Sequence, residues 1–157
     1  MQKYSMLNKI KKLLFVAMTV IAMTPTDSQA FNFFGDGYDE VVPKNGVVEI
    51  SLNEVNDGDI HYYKYNDEDR DIRFFLLKSN DGVIRAAFDA CDVCFRERKG
   101  YSRSGEFVVC NNCGMRFHSS RINVVKGGCN PAPLKRAFDG DIVRIRVVDI
   151  QQGARFF

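Results

Sequence analysis

Five cysteines carry most of the chemical information in this 157-residue sequence. Cys91 and Cys94 form one C-x2-C pair and Cys110 and Cys113 a second, with the 15 residues from Phe95 to Val109 between them. Two intervening residues let both sulfurs of a pair turn toward one point, and two such pairs facing each other complete a tetrahedral thiolate set. Tetrahedral sulfur suits zinc, a single iron ion or an iron-sulfur cluster. Gly114, directly after the second pair, permits the tight turn that aims backbone N–H groups at sulfur, whereas Phe95 takes the corresponding place after the first. Cys129 is the odd cysteine, in Lys126-Gly127-Gly128-Cys129-Asn130-Pro131, where two glycines let the backbone approach whatever the sulfur touches. Disulfides are the alternative use of the two pairs, open to an exported protein. Cys129 is then a ligand, a free thiol or half of an intermolecular bond.

Other chemistry-bearing residues have plainer readings. His118, four residues after Gly114, is a candidate ligand of a mixed site, but a lone histidine beside Phe117 is more often a surface residue. His61 lies in a Tyr-rich strand and reads as structural; Met115 reads as packing rather than as a copper ligand. Asn66-Asp67-Glu68-Asp69 lacks the spacing and glycine of a calcium loop and reads as a solvated turn. Arg96, Arg98, Lys99, Arg103, Arg116, Arg121 and Lys126 crowd the cysteine region. They are expected either to lower the cysteine pKa values or to offer an acidic partner a docking face. No Ser-His-acid set, phosphate loop or paired catalytic carboxylates can be placed, so no catalytic residue is assigned and a non-enzyme is expected.

The elements that must position the cysteines are strands. Val48, Ile50 and Leu52 alternate with Glu49 and Ser51, the pattern of a half-buried strand. After the turn signal Asp57-Gly58 come Ile60 to Tyr65, then the acidic run Asn66 to Asp71 and the apolar stretch Ile72 to Leu77. Asn80-Asp81-Gly82 joins that stretch to Val83–Phe88 as a hairpin. Val143, Ile145 and Val147 alternate in a last strand entered through Asp139-Gly140-Asp141. With no convincing helical period after residue 30, the expected fold is mainly β, with α+β the alternative. It is a small antiparallel β domain carrying a zinc-ribbon-like double CxxC insertion.

Composition places this in one ordinary globular domain, with 45% hydrophobic and 27% charged residues. The formal charge of +2 comes from 22 basic and 20 acidic residues, too little for a polyanion binder, and no nucleic-acid partner is expected. The first thirty residues hold four lysines and one aspartate; without them 18 basic residues face 19 acidic ones. This segment has a basic start, an apolar run from Leu13 to Met23 and a Ser28-Gln29-Ala30 cleavage pattern. It reads as a signal peptide over residues 1–30, with an exported, periplasmic chain starting at Phe31. The run is short of the roughly 20 apolar residues of a membrane span, and none is expected in the mature chain. Lys11-Lys12 stands where a twin-arginine signal would be, favouring export unfolded and metal acquired afterwards.

Several of these motifs occur together in order: Phe88-Asp89-Ala90-Cys91-Asp92-Val93-Cys94, Gly100-Tyr101, Val109-Cys110-Asn111-Asn112-Cys113-Gly114 and Gly127-Gly128-Cys129-Asn130-Pro131-Ala132-Pro133-Leu134. In this the sequence resembles the FtrD-like membrane iron-sulfur containing proteins, over a domain of residues 31–157. The resemblance implies Cys91, Cys94, Cys110 and Cys113 as metal ligands and Cys129 as an additional cofactor-binding cysteine. It implies an iron-sulfur cluster or mononuclear iron as cofactor, with zinc the alternative, and a role in iron uptake or electron transfer beside a membrane iron-transport or redox partner. The spans of other members have no counterpart in residues 31–157, so membrane integration is not carried over. A cluster assembled in the cytoplasm would travel in a folded protein, so a single ion acquired after export suits the leader better. The competing reading is an interaction module with a purely structural zinc ribbon. Thiol-disulfide exchange is weaker, because no thioredoxin-like context surrounds either CxxC.

Overall fold

The computed structural model describes residues 36–157; the leader expected over residues 1–30, its cleavage point and the start of the mature chain lie outside them. The described chain forms ten strands in three sheets. The central sheet has the order β1-β3-β4-β5, built from Asp39–Glu40, Ile60–Asp67, Arg70–Lys78 and Ile84–Phe88. β1 runs parallel to β3 and every other pairing is antiparallel. A second sheet joins β2 (Val47–Ser51), β10 (Ile142–Arg146) and β9 (Ala137–Asp139) in the order β2-β10-β9. The third, β6-β7-β8, contains Tyr101–Ser104, Phe107–Cys110 and Arg116–His118. The chain is β-rich, as its alternation predicts.

Strand β4 explains the layering. Its run Ile72-Arg73-Phe74-Phe75-Leu76-Leu77 is apolar at nearly every position because both faces of the sheet are covered. Ile72, Phe74 and Leu76 pack on the side of Val48, Ile50, Val143 and Ile145 from the second sheet. Phe75 and Leu77 point the other way, toward Ala87, Tyr101, Val108, Ile122 and the cysteines Cys91 and Cys110. The cysteine segment is therefore a third layer with its own apolar floor.

Three local expectations are corrected. Asn66 and Asp67 are not turn residues; they continue β3 opposite Asp71 and Arg70, and the turn is confined to Glu68-Asp69, with Glu68 at φ 55°. Val147 does not extend the last strand. It begins a helix, α1 (Val147–Gln151), with Arg146 gripping the buried Asp149 through bonds of 2.6 and 3.1 Å. Five residues are too few for a helical period to register in the sequence. Met115 is exposed and does not pack in the interior.

A close approach joins the central sheet to the third layer. Asp89, one residue past β5, is buried, and its Oδ1 accepts from the Tyr101 amide at 2.8 Å while Oδ2 accepts from the Tyr38 hydroxyl. Gly100 lies against the same carboxylate: a Cβ there would stand 2.1 Å from Oδ2. Gly105 has a similar φ, 59° against 63°, but open space around it. Gly105→Ala should cost about 1 kcal/mol for the left-handed conformation alone. Gly100→Ala should cost about 1–3 kcal/mol more for the clash. Denaturant titration of both variants checks this; equal losses would mean that the carboxylate contact does not constrain the fold.

Candidate metal centre

Each cysteine reaches the site from a different kind of support. Cys91 and Cys94 follow the end of β5, in a turn that runs into the single 3-10 turn Phe95–Glu97. Although no glycine follows this pair, the turn closes as a thiolate knuckle: the Cys94 amide donates to the Cys91 sulfur at 3.2 Å. Arg98 takes the left-handed conformation that leads the chain out, at φ 52°. Cys110 ends β7, directly opposite Tyr101 of β6. Its amide donates to the Met115 carbonyl and its carbonyl accepts from Gly114, both at 2.9 Å. Gly114, at φ 74°, makes this second knuckle possible, as its position in the sequence suggests.

Cys129 comes from the loop after β8. Gly127 and Gly128, both at positive φ, turn the chain there. The following residues lie alongside β5, with Phe88 N–H donating to Ala132 O, Ala132 N–H to Ala90 O and Leu134 N–H to Ala86 O. Those bonds fix Cys129 next to the first knuckle, and its sulfur is 3.9 Å from that of Cys94.

The five cysteines are free thiols. Cys91, Cys94 and Cys129 form one group with all sulfurs within 4.8 Å of one another, and Cys94, Cys110 and Cys113 form another. Cys94 belongs to both. Two thiolates on one tetrahedral ion with metal–sulfur bonds of about 2.3 Å are about 3.8 Å apart, so the spacing within these groups suits metal ligation. The donor set is all sulfur and fits a soft or borderline metal. His118 is not part of it. Its Nδ1 lies 2.8 Å from Ser120 Oγ and caps the next turn, while Nε2 faces Glu106 at 3.7 Å. His61 bonds Asp57 at 2.8 Å.

The thiols are electrostatically unequal. Cys113 is exposed; the Met115 amide donates to its sulfur and neighbouring thiols add to the effect, lowering its pKa to about 7. Burial pushes Cys110 up to about 11. Cys129, whose sulfur faces that of Cys113, rises to about 12. Burial, backbone amides and the other sulfurs dominate these shifts, and the surrounding basic side chains, for which lowering the cysteine pKa values was one of two expected roles, do not.

Tyr101 is the positioning residue that side-chain chemistry alone did not single out. Its amide bonds Asp89, its carbonyl accepts from the Tyr62 hydroxyl at 2.9 Å and its own hydroxyl donates to the Cys129 carbonyl at 2.6 Å. Paired also with Cys110, it ties three cysteine-bearing segments together. Its sequence signal is Gly100-Tyr101, one of the ordered motifs that carry the family resemblance, standing between the two pairs.

The family described as membrane iron-sulfur containing protein FtrD-like matches residues 55–157. β1 and β2 precede that interval, although β2 completes the second sheet by pairing with β10. No curated protein matches the sequence. Among solved structures, one similar chain is the quaternary ammonium Rieske monooxygenase CntA in complex with the inhibitor MMV12, at 13% identity and a TM-score of 0.40. The similarity covers 62% of this chain, which spans 29% of that one.

Two outcomes follow from this geometry. In metal-free protein, iodoacetamide should label Cys113 before Cys110 and Cys129, with a rate that rises as pH passes through about 7 because the thiolate is the nucleophile. Peptide mapping by mass spectrometry checks the order, and first labelling of Cys110 would contradict it. Tyr101→Phe should lose about 0.5–1.5 kcal/mol of stability. It should also raise hydrogen exchange in the Gly127–Pro131 loop; unchanged exchange there would remove Tyr101 from its positioning role.

Proposed function

The chain belongs to the FtrD-like family of membrane iron-sulfur containing proteins, and we propose that its five thiols hold an iron centre outside the cytoplasm, serving iron uptake or electron transfer beside a membrane transport or redox partner. The observation that carries this reading is the convergence of Cys91, Cys94, Cys110, Cys113 and Cys129 from three separate segments onto one small volume. The export expected from residues 1–30 supplies the compartment. A single iron ion or an iron-sulfur cluster held there would provide a reversible one-electron couple. The protein's part is binding rather than catalysis.

The residues divide that task. Cys91 and Cys110 are buried and form the inner wall, over the apolar floor of Phe75, Leu77 and Val108. Amides donated to sulfur, from Cys94 to Cys91 and from Met115 to Cys113, favour the thiolate state and temper the charge of the set. Tyr101, buried and held protonated, keeps the Cys129 loop against the two knuckles. Cys113 is the exposed edge, where an electron or an ion has the shortest path to a partner. Among the described residues, no helix is long and apolar enough to cross a membrane.

The structural zinc ribbon is the competing reading. A closed zinc site needs four ligands, and a fifth sulfur beside an exposed thiolate favours a site that exchanges ions or electrons. Full-length protein should be isolated from the exported fraction and reconstituted anaerobically with ferrous iron, with and without sulfide. The expected product is coloured, retains iron on desalting and bleaches reversibly on redox cycling. Cys113→Ser and Cys94→Ser should each lower iron retention at least about 10-fold. Colourless protein with one tightly held zinc, unfolding on chelation, would overturn the iron reading and establish the structural one.

A further inference from the structure

The cysteine layer is charged very differently from the rest of the molecule. Between Cys91 and Cys129 stand seven Lys and Arg against three Asp and Glu, a net +4; the remaining described residues carry eleven against sixteen, a net −5. The unevenness is sharper in how the cations are used. Elsewhere seven of the eleven, Lys64, Arg73, Arg85, Lys135, Arg144, Arg146 and Arg155, have a carboxylate within 4.0 Å, and Lys44, Arg70, Lys78 and Arg136 have none among the described residues. In the cysteine layer Arg96, Arg98, Lys99, Arg116, Arg121 and Lys126 are exposed, and none has such a partner among the described residues. Arg103, the seventh, is spent on the carbonyls of Gly105 and Lys78.

These cations are not committed to the thiols either, since burial, amides and neighbouring sulfurs account for the cysteine shifts. Within the same layer two apolar side chains stand open beside the cysteines, among the exposed polar residues Asp92, Asn111 and Asn112. Val93, between Cys91 and Cys94, is 62% exposed, and Met115, two residues past Cys113, is 54% exposed. An apolar centre within a charged surround is the usual anatomy of a transient protein interface. Unpaired charge of one sign steers an oppositely charged partner and sets its orientation.

We propose that the cysteine face is a docking surface for a protein presenting an acidic patch, with Val93 and Met115 at the contact and Lys99, Arg116, Arg121 and Lys126 steering it. The partner's chemistry follows from the face: carboxylates opposite cations that lack a carboxylate partner, Arg116 being held over the Phe107 ring at 4.7 Å, and a small apolar group opposite Val93 and Met115. The net −5 of the remaining described residues, of whose acids only Asp89 and Asp149 are buried, favours this layer over the others for such a partner. An anionic bilayer is the less suitable occupant. The exposed apolar groups in this layer are valine and methionine, and the chain has no Trp to anchor at a headgroup boundary. This inference concerns the surface, and it stands whichever metal the thiols hold.

A small acidic [2Fe–2S] ferredoxin is a suitable probe, with a basic cytochrome c and vesicles of anionic phospholipid as the comparison arms. Binding to the full chain is read by calorimetry at low and at 300 mM salt. The acidic ferredoxin should bind at low salt, weaken at least about 10-fold at high salt, and weaken by a similar factor in Lys99→Glu/Arg121→Glu/Lys126→Glu. The charge-neutral Lys99→Gln/Arg121→Gln/Lys126→Gln should fall between. The reversal Lys44→Glu/Lys135→Glu, on the other layers, should leave binding unchanged. No binding of the ferredoxin at low salt, equal loss in both reversal variants, or a preference for cytochrome c or for vesicles would each overturn the proposal. Iron content and colour, measured on the same samples, report separately on the metal centre.

Discussion

Five sulfur atoms held against an apolar floor, each group of three within 4.8 Å, cannot all ionise unless positive charge sits among them. That constraint governs the molecule. Amides donated to its sulfur lower Cys113 to about 7, while burial and neighbouring sulfurs push Cys110 and Cys129 up to about 11 and 12. The protein itself offers amides, not ammonium or guanidinium groups, to offset the sulfur charge. A metal cation is the group that lets the buried sulfurs become thiolates together, so binding and deprotonation are linked. The rigid support follows from the same constraint: a set that repels itself when charged must be gripped through the backbone.

The grip is a continuous chain of hydrogen bonds. β5 leads into Asp89, whose carboxylate holds the Tyr101 amide; Tyr101 pairs with Cys110 and reaches the Cys129 carbonyl; the residues after Cys129 return to bond the edge of β5. Burial raises the Asp89 pKa, with Tyr38 and Tyr101 donating to its two oxygens. A carboxyl bound more tightly to its proton in the folded than in the unfolded state opposes folding as pH rises past its ordinary range. Those two donors contain that cost. The closed loop has its only exposed thiol at Cys113, which places the reactive edge on the surface while Cys91 and Cys110 are shielded.

Much of this was legible from local pattern. Val48 and Ile50 alternate because one face of β2 is buried, and Asn80-Asp81-Gly82 marks the β4–β5 hairpin because Gly82 takes φ 81°. The C-x2-C spacing announces knuckles because two residues are what a thiolate turn requires. Other features had no local signature. The third layer depends on Phe75 and Leu77 facing away from Phe74 and Leu76, and an unbroken apolar run conceals which face meets which partner. β6 to β8 are three or four residues long, too short for periodicity to stand out. The closeness of Cys129 to Cys94 rests on a return of the chain 35 residues away, which spacing cannot encode. Basic residues near cysteines in sequence suggested thiolate stabilisation, yet side-chain direction sends that charge to solvent.

The central claim is that iron sits among these sulfurs. X-ray absorption at the iron edge of anaerobically loaded protein tests it most directly, because the fine structure reports the ligand atoms themselves. The account predicts a first shell of sulfur with no light-atom ligand. A shell dominated by oxygen or nitrogen, or iron that leaves the protein while the thiols stay countable as free, would contradict it.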